Sequence, residues 1–475
     1  MTGSLARTHD SRGEPPAPGR ERAPRTGRNG EPGRGAADDL IVEAELPASD
    51  HFRSSRMLRA AGWATVAQVA PKLQSAAFLA ASAHSLSPRH FGAISAVQAT
   101  TILGAALWDF GSTSWATRSV AAGQRSPREA VSGAYLIRAA LAIPYAAVTL
   151  IIIWLSPPLR QIGDLAVVSV LASGVFAGLS TIYNAVLIGA RQFRRSSVAI
   201  AVARLLAAAV FLALAVHPPR THAASDIGVV LLSAEGLALI LAYREFRRLG
   251  HRNPVGQEPT RTPSRTRLAT VWRETAPFAA NSFFNYAYNK GDVLFVTFLA
   301  SVLATSAYAP GSQLQNVLAV IPATVAAGLV PYTAGDDSGS AARARATTRK
   351  VIVASLLVSL VVLAVCIVAL PLVLRVVVGH VGESALLPAQ VLVFALPCLA
   401  IQVPLSQALI AAGFVGTTTR VYAWAFVASA TGHLLLDPTF GATGGAIANV
   451  LRDPLAALML WRVYARVSRS RTGPA

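Results

Sequence analysis

Charge is scarce in this chain. Only 14% of its 475 residues are Asp, Glu, Lys or Arg, and the mean hydropathy is +0.48, whereas about 25% of a typical soluble domain is charged. A water-soluble enzyme of this size is excluded. Cysteine is scarcer still: Cys366 and Cys398 both lie in apolar runs, so there is neither a disulfide framework nor a four-cysteine zinc site. Both read as packing residues. Catalytic signatures are missing too. No GxxxxGK phosphate loop and no HExxH occurs, which removes P-loop hydrolysis and zinc-protease chemistry. The nine His are scattered through tail, loops and helix ends, and His433 reads as a satisfied packing residue. Asp336-Asp337, beside Gly335 and Ser338, reads as a solvated turn rather than a metal site. Gly441, Gly444 and Gly445 lack the strand and helix context of nucleotide binding and read as close helix packing. No cofactor or metal is expected.

The net charge of +19 would suit a nucleic-acid binder, but the hydropathy argues against such a partner. Residues 1–56 are rich in Pro, Gly, Arg and Ser and cannot bury enough surface to fold, so a disordered basic tail is expected. The first long apolar run begins only near Met57, and neither a signal nor a transit peptide is expected.

Beyond the tail the sequence is a series of apolar stretches of about 20 residues, the length a helix needs to cross a core of about 30 Å. Twelve are predicted: 58–82, 92–117, 132–155, 166–189, 197–216, 226–243, 275–300, 306–332, 351–374, 387–411, 417–436 and 443–464. Basic residues test that count, because cytoplasmic loops retain Lys and Arg. With both termini inside, only Arg89, Arg160, Arg220 and Arg375 fall in opposite-side loops. Lys72, Arg138, Arg204, Lys290 and Arg452 fall within spans, and every other base lies on the cytoplasmic side. The opposite-side loops are too short to hold a catalytic domain. The reading is an all-α polytopic membrane protein with lobes at 57–244 and 274–465, a linker at 245–273 and a short tail at 466–475.

Two halves are also suggested by alignment. Lys72 falls on Lys290 at an offset of 218, and Phe91, Ser95 and Gln98 fall on Tyr308, Ser312 and Gln315 at 217. Duplicated halves are common in transporters, with the substrate site at mid-membrane where the repeats meet.

A charge at the bilayer centre costs about 2.5–3.5 kcal/mol on insertion scales. The in-span charges are therefore expected to face inward, around a hydrated cavity. Thr65, Gln68, Lys72 and Ser75 share one face of the first helix. Asn281, Asn285, Asn289 and Asp292 form a stripe on the seventh, widened by Ser282, Tyr286 and Lys290. Lys290 and Asp292 point apart. For Lys72, Lys290 and the Asn stripe a transport pathway is favoured over plain interhelical bonding. Asp109, Glu235, Asp292, Arg452 and Asp453 stand as ion-coupling or structural charges. The Arg452-Asp453 pair precedes Pro454 and suits either that role or repair of the backbone at a kink.

Several motifs, taken in order, resemble one family. Leu86-Ser87-Pro88-Arg89-His90-Phe91-Gly92 is similar to its loop between the first two helices, with Ser87 in place of a Gly. Asp109-Phe110-Gly111 is similar to an Asp-Phe-Gly-Leu at the end of the second, with Ser112 in place of Leu. Tyr308, Pro322 and Pro331 match its eighth helix, and Ala411-Ala412-Gly413 and Gly441-Ala442-Thr443-Gly444-Gly445-Ala446 precede the last two. The chain thus resembles, over 57–465, the polysaccharide flippases (Wzx-type polysaccharide biosynthesis proteins) of the multidrug/oligosaccharidyl-lipid/polysaccharide exporter superfamily. The resemblance implies two six-helix lobes around a cavity open alternately to either side, and a lipid-linked glycan as substrate. It suggests membrane lipids and glycan-assembly proteins as partners. A monomer is expected.

On this reading Lys72 and Lys290, with Arg138 or Arg204, attract a pyrophosphate, while Gln68, Asn281, Asn285, Tyr286 and Asn289 bind sugar hydroxyls. Two other readings stand beside it. One is a cation-coupled drug exporter of the same superfamily, which calls for an acidic cavity; in-span bases barely outnumber the acids Asp109, Glu235, Asp292 and Asp453. The other is a membrane polysaccharide polymerase or ligase, against which the short external loops argue.

Overall fold

The computed structural model describes residues 50–219, 221–250, 268–327, 338–379 and 382–470. The tail, most of the basic linker, Arg220, Pro331 and Asp336-Asp337 lie outside the described residues. The chain divides into Met1–Ser54, of which only the start of the first helix is described, and a helical body, Ser55–Ala475.

Helix starts follow from local chemistry. The first helix, α1, runs Asp50–Ser85, and α2 is Pro88–Asp109. The Ser87 side chain caps α2 by accepting from the His90 backbone N–H at 3.4 Å, with Pro88 preset for the first helical position. The next elements are α3 (Ser112–Ala121) and α4 (Pro127–Trp154). Ser126 and Glu129 start α4 with a reciprocal capping box. A short α5 (Pro157–Arg160) leads to α6 (Asp164–Gly189), α7 (Phe193–Val216) and α8 (Ala223–Gly250), which complete the first lobe.

The second lobe begins with α9 (Leu268–Phe295) and a π turn, Val296–Ala300. It continues through α10 (Val302–Leu318), α11 (Val320–Ala327), α12 (Ser338–Val378), α13 (Gly382–Val393), α14 (Leu396–Ala411) and α15 (Val415–Ser470). Gly441 (φ 55°, ψ −130°) breaks α15 into two limbs, a backbone geometry open essentially to glycine alone. The predicted twelve spans map onto α1, α2–α3, α4, α6, α7, α8, α9, α10–α11, α12, α13–α14 and the two limbs of α15. Among the described residues there is no strand.

By length and composition, six helices are apolar enough to cross a membrane singly, and the bent pair α13–α14, at 49°, makes a seventh span. The remaining spans include α1, α9 and the limbs of α15, which carry Lys72, Lys290, Asp292, Arg452 and Asp453. Their polarity has the same cause as their position: they form the inside of the bundle. Outward faces are apolar, with Ile143 and Val368 about four-fifths exposed (80% and 82%). A soluble monomer does not leave so much apolar surface uncovered.

The lobes meet through α2, which lies against α9 and α10. At the end away from the basic loops, Leu86, Phe91 and Ile94 join Leu374, Val378, Ala385 and Ala389 in one apolar core, so this end is sealed. Gly92 lies against the Val302 backbone carbonyl of the other lobe, with no room for a Cβ. At the basic end Glu274 accepts from Trp115 Nε1 at 2.9 Å and pairs with Arg125 at 3.1 Å.

The seal yields a prediction. A Gly92→Leu chain should separate α2 from Val302, so that hydrophilic maleimide labels an Ala385→Cys probe several-fold faster than in the Gly92 parent. Unchanged labelling would show that the seal does not depend on this contact.

Candidate functional site

Most charges inside the bundle are consumed by partners inside the bundle. In the first lobe Phe110 and Gly111 take left-handed backbone angles (φ 45° and 71°) that end α2 and start α3. Asp109 Oδ1 caps the new helix, accepting from Ser112 Oγ at 2.9 Å, Thr113 Oγ1 at 2.6 Å and Thr113 N at 3.2 Å. Arg138 comes in from α4, 2% exposed, and pairs with that carboxylate. Its other donors reach Ser112 (3.2 Å), Thr181 (3.2 Å) and the Gly178 carbonyl. The Asp-Phe-Gly motif is thus a helix break whose cap doubles as a counter-ion. Arg204 on α7 is likewise engaged, by both carboxylate oxygens of Glu235 on α8 and by Gln74 Oε1 on α1 at 2.9 Å.

The second lobe holds a larger network. Asp292 accepts from Tyr308 (2.6 Å), Asn449 (2.8 Å) and Ser312 (3.3 Å), and all four residues are buried. Asp453 takes the Arg452 Nε at 3.1 Å, Gln315 Nε2 at 3.3 Å and the Tyr288 hydroxyl. Arg452 lies 3.8 Å over the Tyr288 ring and donates to the Tyr288 carbonyl and Asn449 Oδ1. Gln402 Nε2 donates to the Asp453 carbonyl at 2.7 Å. Arg452 and Asp453 therefore tie the second limb of α15 to α9 and α14.

Two in-span charges are left over. Neither Lys72 on α1 nor Lys290 on α9 has a hydrogen-bond or ion-pair partner among the described residues, and Lys72 lies within electrostatic reach of Lys290. Lys290 opens into a pocket between the lobes lined by Ser75 of α1, Ser95 and Gln98 of α2, and Ser312 and Gln313 of α10. Ser75 is one helical turn from Lys72. The aligned positions Ser95 and Ser312 thus face one pocket from opposite lobes.

The remaining predicted residues sit lower on α9 or α1. Asn281 accepts from Thr419 Oγ1 at 3.2 Å, and Asn289 Nδ2 bonds the Asn285 side chain at 3.1 Å and its carbonyl at 2.7 Å. Tyr286 is 45% exposed and lies near Asp109 and Arg138 of the other lobe. Gln68 is half-buried, without a partner among the described residues. Asp292 turns away from these Asn residues into the lobe interior.

The sequence profile of the family described as polysaccharide biosynthesis protein matches residues 57–335, more than half of the chain. The chain belongs to that family. Its fold is shared with solved transporters of the MOP superfamily. An inward-facing multidrug resistance MATE family transporter superposes with a TM-score of 0.64 at 13% identity, covering 86% of this chain and 96% of its own. A mutant of the Vibrio cholerae MATE transporter VcmN gives 0.60 at 15%, covering 88% and 98%. A MOP superfamily transporter from Pyrococcus furiosus, described as having a binding pocket of reverse polarity, gives 0.58 at 13%, covering 88% and 96%. Among curated protein sequences none matches.

Sequence reasoning did not find the Arg204–Glu235 pair or the Tyr288, Gln402 and Asn449 members of the second network, because their partners are far apart in the chain. It also took His433 for a satisfied packing residue. The ring is buried and bonds Asp437 at 2.8 Å, but its Nε2 has no partner. The i, i+4 spacing of His433 and Asp437 was the available signal.

Removing one member of a buried ion pair costs about 3–5 kcal/mol, because the other charge is left stranded. Arg138→Ala should lower the thermal unfolding midpoint in detergent markedly, and Arg138→Met with Asp109→Asn should recover most of the loss. Equal midpoints for the single and double variants would remove the pair from this role.

Proposed function

We propose that this protein is a flippase that moves a polyprenyl-pyrophosphate-linked oligosaccharide across the cytoplasmic membrane by alternating access, for cell-surface polysaccharide synthesis. The observation that carries the reading is the pair of lysines without a partner among the described residues: Lys290, which lines a small pocket of mixed polar and apolar walls between the lobes, and Lys72, one helical turn from Ser75 of that pocket and within electrostatic reach of Lys290. All four in-span acids, Asp109, Glu235, Asp292 and Asp453, are held by internal donors. The charge left for a substrate is therefore positive. This favours an anionic headgroup over a cationic drug, a distinction that the bare count of charges did not make.

The pyrophosphate sits against the two ammonium groups. Sugar hydroxyls exchange water for Gln98, Ser95, Ser312 and the Gln68, Asn285 and Tyr286 side chains. Each polar group stripped of water without such a partner costs about 2–7 kcal/mol to bury, so a wet polar groove is the condition for crossing. The polyprenyl chain stays in lipid. The basic end of the bundle, with both termini, faces the cytoplasm by the distribution of Arg and Lys. Arg138 and Arg204, both engaged internally, keep the lobes in shape.

In the double variant Lys72→Ala, Lys290→Ala, export of the glycan should stop while the protein remains inserted, with lipid-linked glycan accumulating on the inner leaflet. Lys→Arg at both sites should keep substantial export. Undiminished export by the alanine variant would overturn the reading, and accumulation on the outer leaflet in a deletion strain would point to a polymerase or ligase.

A further inference from the structure

His433 and Asp437 lie on the last turns of the first limb of α15, both with 0% side-chain exposure, joined by the 2.8 Å Nδ1–Oδ2 hydrogen bond. Each keeps one orphan: His433 Nε2 and Asp437 Oδ1 are buried without a partner among the described residues. Buried polar atoms are nearly always satisfied, and leaving one bare costs about 1–3 kcal/mol. Two orphans on one dyad are a protonation state left incomplete in the closed bundle. We propose that the dyad binds a transported proton and that its protonation state sets the closure of the seal between the lobes.

The surroundings supply the link. The His433 ring stacks on Phe295, with centroids 5.1 Å apart, and Phe295 is the last residue before the π turn Val296–Ala300. Gly445, across the kink, fills the wedge between Val296, Asp437 and His433, where a Cβ would collide with the Val296 side chain. The kink glycine, Gly441, faces Ala304 of α10. From Val296 the chain needs only six residues to reach Val302, whose carbonyl abuts Gly92 of the other lobe. On this proposal an opening of the wedge at Val296 reaches that contact through the π turn and Ser301.

The charges fix the direction. The charged group facing the dyad is Asp292 on α9, with Tyr308 of α10 bonded to it; Arg452 and Asp453, further along the second limb of α15, belong to the network around Tyr288 and Asn449. Arg452 is engaged by Asp453, Tyr288 and Asn449. With a neutral imidazole the dyad carries −1 beside the Asp292 carboxylate, and a dry wedge cannot hold it. One proton taken from water onto His433 Nε2 makes an imidazolium–carboxylate pair of net charge zero, which tolerates the closed wedge seen here. Loss of that proton to the opposite side of the membrane resets the dyad. The protonated form is thus the form with the seal closed.

The role as driving ion rests on the flippase reading. The test needs no substrate, so the two fail separately. Full-length protein in lipid nanodiscs, with Cys366 and Cys398 replaced by Ser, is spin-labelled at Arg89→Cys and Glu383→Cys, exposed positions on either side of the seal. Distances are measured between about pH 8 and pH 5, the interval in which imidazole ordinarily changes charge. The parent should pass from a long to a short distance as pH falls. His433→Gln, which keeps a donor to Asp437 but cannot take the proton, should stay long throughout. Asp437→Asn, uncharged, should stay short. No pH response in the parent, the parental response in both variants, or a response removed only by Asp292→Asn would each overturn the proposal.

Discussion

A hydrocarbon interior does not tolerate an unpaired charge, and much of this architecture follows from that constraint. A carboxylate or guanidinium taken out of water must meet a counter-charge or several hydrogen-bonding partners. Arg138 has Asp109, Arg204 has Glu235, Arg452 has Asp453, and Asp292 has three neutral donors. Most of these arrangements also tie one helix to another: α2 to α4, α7 to α8, and α9 to α10 and α15. Among the in-span bases described, Lys72 and Lys290 alone lack a paired acid. Lys290 borders the small pocket between the lobes, and Lys72 lies one turn from Ser75 of the same pocket. On the proposed function, the same property that makes them costly in the empty protein is what would draw an anionic headgroup.

The twelve spans were legible because membrane topology is written in one dimension. Length, apolar runs and the asymmetry of Arg across loops are properties of consecutive residues. The Asp109-Phe110-Gly111 motif was also visible, but not its function as a helix break. That function depends on the left-handed backbone at Phe110 and Gly111 and on Arg138 arriving from α4. Pairings across the bundle were not legible. Arg204 and Glu235 sit on different helices with no periodicity relating them, so the sequence shows two isolated charges where the fold has one salt bridge. The α9 stripe illustrates the limit on a single helix. Its spacing correctly places Asn281, Asn285, Asn289 and Asp292 near one another around the axis, but the neighbouring helices divide the stripe. Asp292 goes to Tyr308 and Asn449, and Asn281 to Thr419.

The alignment of the two halves bears on how their interiors differ. At the 218-residue spacing that relates Lys72 to Lys290, Glu235 falls on Asp453 and Gln74 on Asp292. In the first lobe the acid, Glu235, is neutralised by one arginine, Arg204, with the neutral Gln74 completing the contact. In the second lobe the position of that glutamine has become a carboxylate, so the interior holds one more negative charge. Additional donors from Tyr308, Asn449 and Ser312 absorb it. The His433–Asp437 dyad adds a further acid nearby, its charge offset only when the imidazole is protonated. A lobe with an inert internal salt bridge is suited to move as a rigid body. A lobe with a buried, incompletely bonded His433–Asp437 dyad next to a glycine kink and a π turn is where the proposed proton would act on shape. On the proposed function, Lys72 and Lys290 would give the substrate site one base from each lobe, while the proposed proton control would act from the second lobe alone.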